Sequence, residues 1–367
     1  MEKNEHISYF KVKNFKRFEE FEMNDITQFN IIVGDNNVGK TTLLEALLFS
    51  DNIDEYYNSL INCFLYKFSQ EFLRNEKIKF KELVKNILIL FFNDKSIKKH
   101  TYNIKTKSGI KKELKFEIKS VEELSEKEIE FLSKLRYTNA NPQEDIFILK
   151  DKSGILGMKT ENMFEISKNT YFSYIPFSLG YNDDLTGFYS KHIQQNKERK
   201  TKFVNSLKSF IPDIESVEIT TRFMQHPVIE VFEKSSNELK LLSTYGDGAN
   251  KLFRILSEII VSKGKRLMID EIDTGIHYSR FEEFWKIILK TAREYDVQLY
   301  ATTHNPDCLK YLVNTLENED MQSYQKDTSI FALDELPDKT VKAFKYDYNA
   351  FSFSIKKGIE IRGGSNE

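Results

Sequence analysis

The sequence predicts an α/β protein whose ligand crevice lies at the carboxyl ends of parallel strands. Three observations predict it. A glycine-bounded loop at residues 34–41 joins an apolar strand to a helix, an apolar strand at Arg266–Ile269 ends in Asp270 and Glu271, and a third apolar strand, Gln298–Thr302, runs into His304. Compact apolar runs alternating with helical patterns mark strands buried on both faces, as in a parallel sheet.

Along the chain, Ile7–Lys13 and Phe18–Met23 read as short strands, Phe29–Val33 as a buried strand, and Thr41–Phe49 as a helix. Residues 52–95 carry apolar positions at three-to-four spacing and read as helical. From 100 to 168 the period changes to two, with TYNIKTK and KKELKFEIK flanking Ser108-Gly109, and IFILK and ILGMK flanking a second glycine-containing turn. Both resemble hairpins. The acidic stretch Val121–Leu135 between them reads as helix. A second α/β stretch has strands at Tyr171–Ile175, Ser216–Ile219 and Val228–Phe232, with a helix around Lys200–Phe210. A helix at Gly248–Ser262 precedes the acidic strand, and one at Tyr278–Tyr295 follows it. The tail reads as a helix near Asp307–Glu317, strands at Ser329–Leu333 and Val341–Tyr346, and a last helix capped by Asn349. The expected division is 1–50, an insertion at 51–169, and 170–367.

The bulk properties exclude several classes. The 367 residues are 40% hydrophobic and 30% charged, with a formal net charge of -2, so the core is ample and whole-chain charge names no partner. Two distant cysteines, Cys63 and Cys308, make neither a disulfide framework nor a metal cluster. The opening MEKNEHISYF lacks the apolar stretch of a signal peptide, and no apolar run approaches a membrane span. The expectation is a soluble protein of the reducing cytoplasm, with no membrane contact.

Residues Gly34 to Thr41 match G-x-x-x-x-G-K-[ST] at every fixed position, between a strand and a helix. Glycines let the backbone curl so that successive N–H groups face phosphate oxygens, and the helix start adds partial positive charge. The nucleotide-binding candidates are Gly34, Asn36, Asn37, Gly39, Lys40, Thr41 and Thr42. Lys40 would reach the β- and γ-phosphates of ATP, and Thr41 would ligate Mg²⁺. Two carboxylates at a buried strand tip are costly without a cation beside them. Asp270 would therefore hold the metal through water, and Glu271 would orient or deprotonate the attacking water. His304, at the end of the next strand, would contact the γ-phosphate and sense its presence. The plainer alternatives are solvated turns after strands and a structural histidine.

Before the acidic strand, Leu242–Gly248 leads into an amphipathic helix and forms a second anion-binding helix start. One ATP does not need two from one subunit, so the simplest use is to cap an ATP held by another copy.

In this order, the phosphate loop, the Ser243–Gly248 segment, Asp270-Glu271 and His304 resemble ABC-type ATPase heads. They are most similar to prokaryotic AAA-family ATPases of the RecF, SMC and OLD kind, with S-x-x-G-D-G, D-E-I-x-x-G-x-H and A-T-T-H in this chain. The resemblance covers about 1–50 and 170–367. It implies an ABC-type P-loop head with a mixed or parallel central sheet, an antiparallel β lobe and a helical insertion. It also implies a homodimer, or higher oligomer, closed around ATP. Ser243, Gly246, Asp247 and Gly248 of one copy would act in trans, and Asp273 and His277 would mark the D-loop. Gln70 is the candidate for the Q-loop.

Between Arg74 and Lys119 there are fourteen Lys/Arg and five Asp/Glu, and Glu122–Glu130 has five Glu and one Lys. This dipolar insertion reads either as a solvated face or as a site for nucleic acid or an acidic partner. The basic run Lys191–Lys202 could line the dimer groove. Sustained heptads, as in SMC arms, are absent. The 63 residues after His304 lack the acidic pattern of a TOPRIM nuclease. Standalone members resemble the ATPase halves of anti-phage systems that control a separately encoded effector, often TOPRIM-like. The alternative is a RecF-like DNA-repair ATPase binding duplex DNA.

Overall fold

The computed structural model describes residues 6–65, 88–135, 144–160, 173–177, 185–221 and 227–361. Gln70 and His226 fall outside them, as do most of the expected helix 52–95 beyond Leu65 and the start of the strand expected at Tyr171.

The chain begins with β1 (Ile7–Phe15), β2 (Phe18–Met23) and β3 (Phe29–Gly34), then α1 (Lys40–Ala46) and α2 (Ile53–Leu65). Two hairpins follow, β4 (Lys99–Thr106) with β5 (Lys111–Ser120), and β6 (Asp145–Asp151) with β7 (Gly154–Thr160). Helix α3 (Glu126–Lys134) lies between them. It is opened by a capping box in which Ser125 and Glu128 bond reciprocally to the backbone. Next come β8 (Tyr174–Ile175), α4 (Leu185–Tyr189), α5 (Lys197–Leu207), β9 (Ile214–Thr220), β10 (Val228–Glu233) and β11 (Glu238–Leu241). The remainder is α6 (Asp247–Val261), β12 (Arg266–Ile269), α7 (Phe281–Glu294), β13 (Gln298–Thr302), α8 (Pro306–Glu317), β14 (Thr328–Glu335), β15 (Val341–Tyr346) and α9 (Tyr348–Lys357).

The central sheet has the order β15-β14-β3-β13-β12-β8, and only β15 is antiparallel. Its strands alternate between two cores, as a period of two requires. Ile31 and Val33 of β3, Leu299 and Ala301 of β13, and Leu267 and Ile269 of β12 face the core packed with α6, α7 and α8. Ile32, Tyr300 and Met268 face the other way, onto α1 and the second sheet. Both faces are thus covered, which explains the uninterrupted apolar runs. Trp285 of α7, fully buried, donates from Nε1 to the Cys308 carbonyl at 2.9 Å and locks α7 to α8.

The second sheet is antiparallel, in the order β2-β1-β4-β5-β6-β7. Phe10 of β1 pairs with Ile104 of β4, so the division expected at residue 50 runs through one sheet. A third sheet, β11-β10-β9, includes β11, which the mixed tetrapeptide ELKL did not announce. Several expected boundaries move. Helix α1 ends at Ala46 rather than Phe49. The cap of α9 is Asp347, whose Oδ1 accepts from Ala350 N at 2.9 Å, and not Asn349. No helix among the described residues is long and apolar enough to cross a membrane.

His100 of β4 sits inside the second sheet's core, where its Nε2 lies 2.6 Å from the Tyr56 hydroxyl. Burial pushes its pKa down to about 3. The unfolded chain takes up this proton near pH 6.5, so below that pH the unfolded state holds more protons than the folded one. Stability is full above pH 6.5 and falls by about 1.4 kcal/mol per pH unit below it. Denaturant titrations of wild type at pH 6.5 and pH 5 should differ by about 2 kcal/mol from this group. His100→Phe should remove that part of the slope.

Candidate functional site

The parallel register aligns the carboxyl ends of three strands. Thr302 of β13 pairs with Ile32 of β3, and Ala301 with Ile269 of β12. The loops after β3, β12 and β13 therefore open at one edge, where open α/β sheets bind ligands.

The loop after β3 turns on two glycines. Gly34 has φ 147°, and a Cβ there would stand 2.6 Å from the Leu333 carbonyl oxygen and 2.9 Å from Val38 Cγ1. Gly39 has φ 112°, and its Cβ would meet Arg17 Cδ at 2.9 Å. Between them Asn37 adopts φ 64°, a conformation asparagine tolerates better than most residues. Asp35, Asn36 and Asn37 are exposed, whereas Gly34, Val38 and Gly39 are buried. The loop thus offers backbone to a ligand while its glycines pack on the sheet. Lys40 Nζ bends back over the loop and donates to the carbonyls of Gly34 at 2.7 Å and Asp35 at 2.8 Å.

Asp270, 6% exposed, is held from several sides. Thr41 Oγ1 donates to its Oδ2 at 2.8 Å, and Thr302 Oγ1 donates to its Oδ1 at 2.6 Å. The Tyr174 hydroxyl approaches Oδ2 at 3.4 Å from β8. Burial, and secondarily the Asp270 charge, push the Tyr174 hydroxyl's pKa well up. Residues 229 positions apart thus meet through one hydrogen bond between Thr41 and Asp270. A hydroxyl and a carboxylate side by side give oxygen ligands only. This suits magnesium, which takes one or two carboxylates and completes its shell with phosphate oxygens and water.

Glu271 follows in a left-handed conformation, φ 46°. Its N–H donates to Thr302 Oγ1 at 2.8 Å, so one threonine orders both carboxylate residues. The positive φ turns Glu271 away from Asp270 and toward His304, whose Nδ1 lies 3.7 Å from its Oε1. Both side chains reach solvent, at 30% and 51% exposure, as groups that meet a substrate must. Asp273 is buried and accepts from Thr303 Oγ1 at 2.6 Å, next to His304.

Lys40, Thr41, Asp270, Glu271 and His304 therefore share one sheet edge. The Ser243–Gly248 segment behaves differently. Ser243, Gly246 and Asp247 are exposed and make no hydrogen bond to the phosphate loop among the described residues. Gly248 packs on the turn after Glu271, its would-be Cβ 3.2 Å from the Gly275 carbonyl oxygen. Gly246, with φ 82°, opens α6 with no side-chain cap on the helix N–H groups. Thr42, partly buried, is the third residue of α1. His277 is exposed, its ring tilted 39° to that of Tyr278 with centroids 4.4 Å apart, and its Nδ1 lies 2.8 Å from Ser279 Oγ.

Three residues of this edge were not singled out from the sequence. Thr302 and Tyr174 read as strand filler, although Thr302 stands in the A-T-T-H run already noted. Arg17, in the turn between β1 and β2, packs on Gly39 and pairs with Glu335.

A family model described as "AAA domain, putative AbiEii toxin, Type IV TA system" matches residues 29–309. A Helicobacter pylori protein named ATP/GTP phosphatase is 23% identical over 366 residues, covering 89% of this chain and 92% of its own length. Among solved structures, the SMC head domain from Thermotoga maritima is similar with a TM-score of 0.47 at 9% identity, over 93% of this chain and 99% of that one. An SMC head bound to the C-winged helix domain of ScpA gives 0.45 at 13% identity, over 93% and 98%.

Proposed function

The chain belongs to the AAA-domain family of that description, and from this premise we propose that it is an ABC-type ATPase that closes as a dimer around ATP to control a separately encoded effector. The observation that carries this reading is the pairing of a convergent hydrolytic edge with an exposed Ser243–Gly248 helix start that its own phosphate loop does not use. A second copy is the natural source of a phosphate for that helix start.

In this reading Lys40 and the loop N–H groups of Gly34 to Thr42 bind the triphosphate. Thr41 and Asp270 hold magnesium, which when bound offsets the charge of the terminal phosphates. Glu271 takes the proton of the attacking water, and His304 contacts the γ-phosphate. Ser243, Gly246, Asp247 and Gly248 of the partner copy close over that phosphate, while Asp273 and His277 line the turn between the two sites. The family description names a toxin and a TA system, which supports control of a partner protein. An anti-phage role extends the same reading.

A second reading rests on its own observation. The outer face of the antiparallel sheet carries a groove of about 550 Å³ containing Lys11, Lys13, Lys105, Lys111, Lys112 and Lys152 against the single acid Glu113. Lys105, Lys111 and Lys152 are exposed and form no ion pair among the described residues. Such a groove fits a phosphate backbone.

One experiment separates the two. The protein is sized with and without Mg-ATP, alone, with the products of neighbouring genes, and with duplex DNA at low and high salt. The effector reading expects an ATP-dependent dimer that retains a neighbouring product. It fails if the protein stays monomeric and retains none. The DNA reading expects ATP-dependent retention of duplex that drops steeply with salt. A flat salt response removes it.

A further inference from the structure

We propose that Lys251 is a positioning residue for ATP hydrolysis: its buried ammonium balances the carboxylate of Asp273 and so fixes Thr303 and the His304 loop beside Glu271.

Lys251 lies three residues after Gly248 on α6, hence on the same helix face, which packs against the turn holding Asp273 and Gly275. It is 5% exposed, and it makes no hydrogen bond or ion pair at contact distance among the described residues. A lysine is rarely buried without such a partner. The charges that act most strongly on it are, in order, Asp273, Asp270 and Glu271, with Arg254 opposing. Arg254 is itself engaged by Glu258 at 2.8 Å. Burial lowers the Lys251 pKa to about 8, and the three carboxylates counter it.

The consequence runs through Asp273. This carboxylate is 7% exposed and accepts the Thr303 hydroxyl at 2.6 Å. The same hydroxyl accepts the Asn305 N–H at 3.1 Å. Thr303 thus brackets His304 on both sides, and its anchor is a buried anion. A buried anion without a counter-charge is strongly unfavourable. Lys251, buried on the helix that packs against this turn, supplies that counter-charge. Lys251 also sits on the helix whose first turn is read above as closing the partner's site. The inference rests on the ATPase assignment.

The test uses Lys251→Met, Lys251→Arg, Asp273→Asn and the double variant Lys251→Met/Asp273→Asn in the full chain, reading Mg-ATP affinity by calorimetry, kcat and Tm. We expect Lys251→Met to lower kcat about tenfold or more, an effect on the order of 1.4 kcal/mol, with ATP affinity within about threefold. Lys251→Arg should restore kcat to within about threefold. The double variant should recover Tm lost in Lys251→Met, because it removes both charges. Unchanged kcat in Lys251→Met, equal losses of affinity and kcat with no rescue by arginine, or additive Tm losses would overturn the proposal. If Lys251→Met does not fold, Lys251→Arg and the double variant still decide it. Absent turnover in wild type would instead strike at the ATPase assignment, which the Tm cycle does not depend on.

Discussion

Replacing Lys40 by methionine is expected to weaken Mg-ATP binding by about two to three orders of magnitude and to leave no measurable turnover. The side chain lies over the phosphate loop with Nζ 2.7 and 2.8 Å from two of its carbonyls, so it is poised over the loop's concave face. A hydrogen bond to a charged group contributes about 1.5–3 kcal/mol, and a lysine between two phosphates makes more than one. Methionine keeps the stem and removes the charge. Lys40 is only partly buried, so Tm without nucleotide should change little. Calorimetric titration of Mg-ATP checks the affinity. Binding within about threefold of wild type would mean that the triphosphate lies elsewhere.

Glu271→Gln should separate binding from chemistry. Glutamine has the same length and keeps the backbone N–H that bonds Thr302 Oγ1 at 2.8 Å, so the turn at φ 46° is preserved. What is lost is the ability to accept a proton, which general-base catalysis values at about 10²–10⁴ in rate. The expected result is kcat down by about that factor, ATP affinity retained, and a larger dimer fraction in Mg-ATP because the closed state is not relieved by hydrolysis. Single-turnover assays and light scattering read the two effects. Unchanged kcat would remove Glu271 from the base role.

Much of this could be read from residues alone, for specific reasons. Strands β12, β13 and β15 lie where the apolar or alternating runs put them, because charged and polar residues flank each run. The phosphate loop carries its own punctuation, as Gly34 and Gly39 are both required by positive φ. Pairing between distant segments is a different matter. Nothing local in Phe10 or Ile104 says that they are neighbours, yet β1 and β4 pair across the boundary expected at residue 50. Small hydroxyls were also silent. Thr302 looks like a β-branched strand residue until its bonds to Asp270 and Glu271 are seen. Lys251 reads as the polar face of an amphipathic helix, yet α6 also buries Arg254 and Glu258, so all of its faces are covered. Burial of that kind is decided by what packs on a helix, not by its own periodicity.

The most direct measurement is a crystal structure of Glu271→Gln with Mg-ATP. The account predicts the triphosphate along residues 34–42 with the γ-phosphate at Lys40 and His304, magnesium at Thr41 and Asp270, and Ser243 and Gly248 of a second copy closing the far side. A nucleotide bound away from the carboxyl ends of β3, β12 and β13 would contradict it.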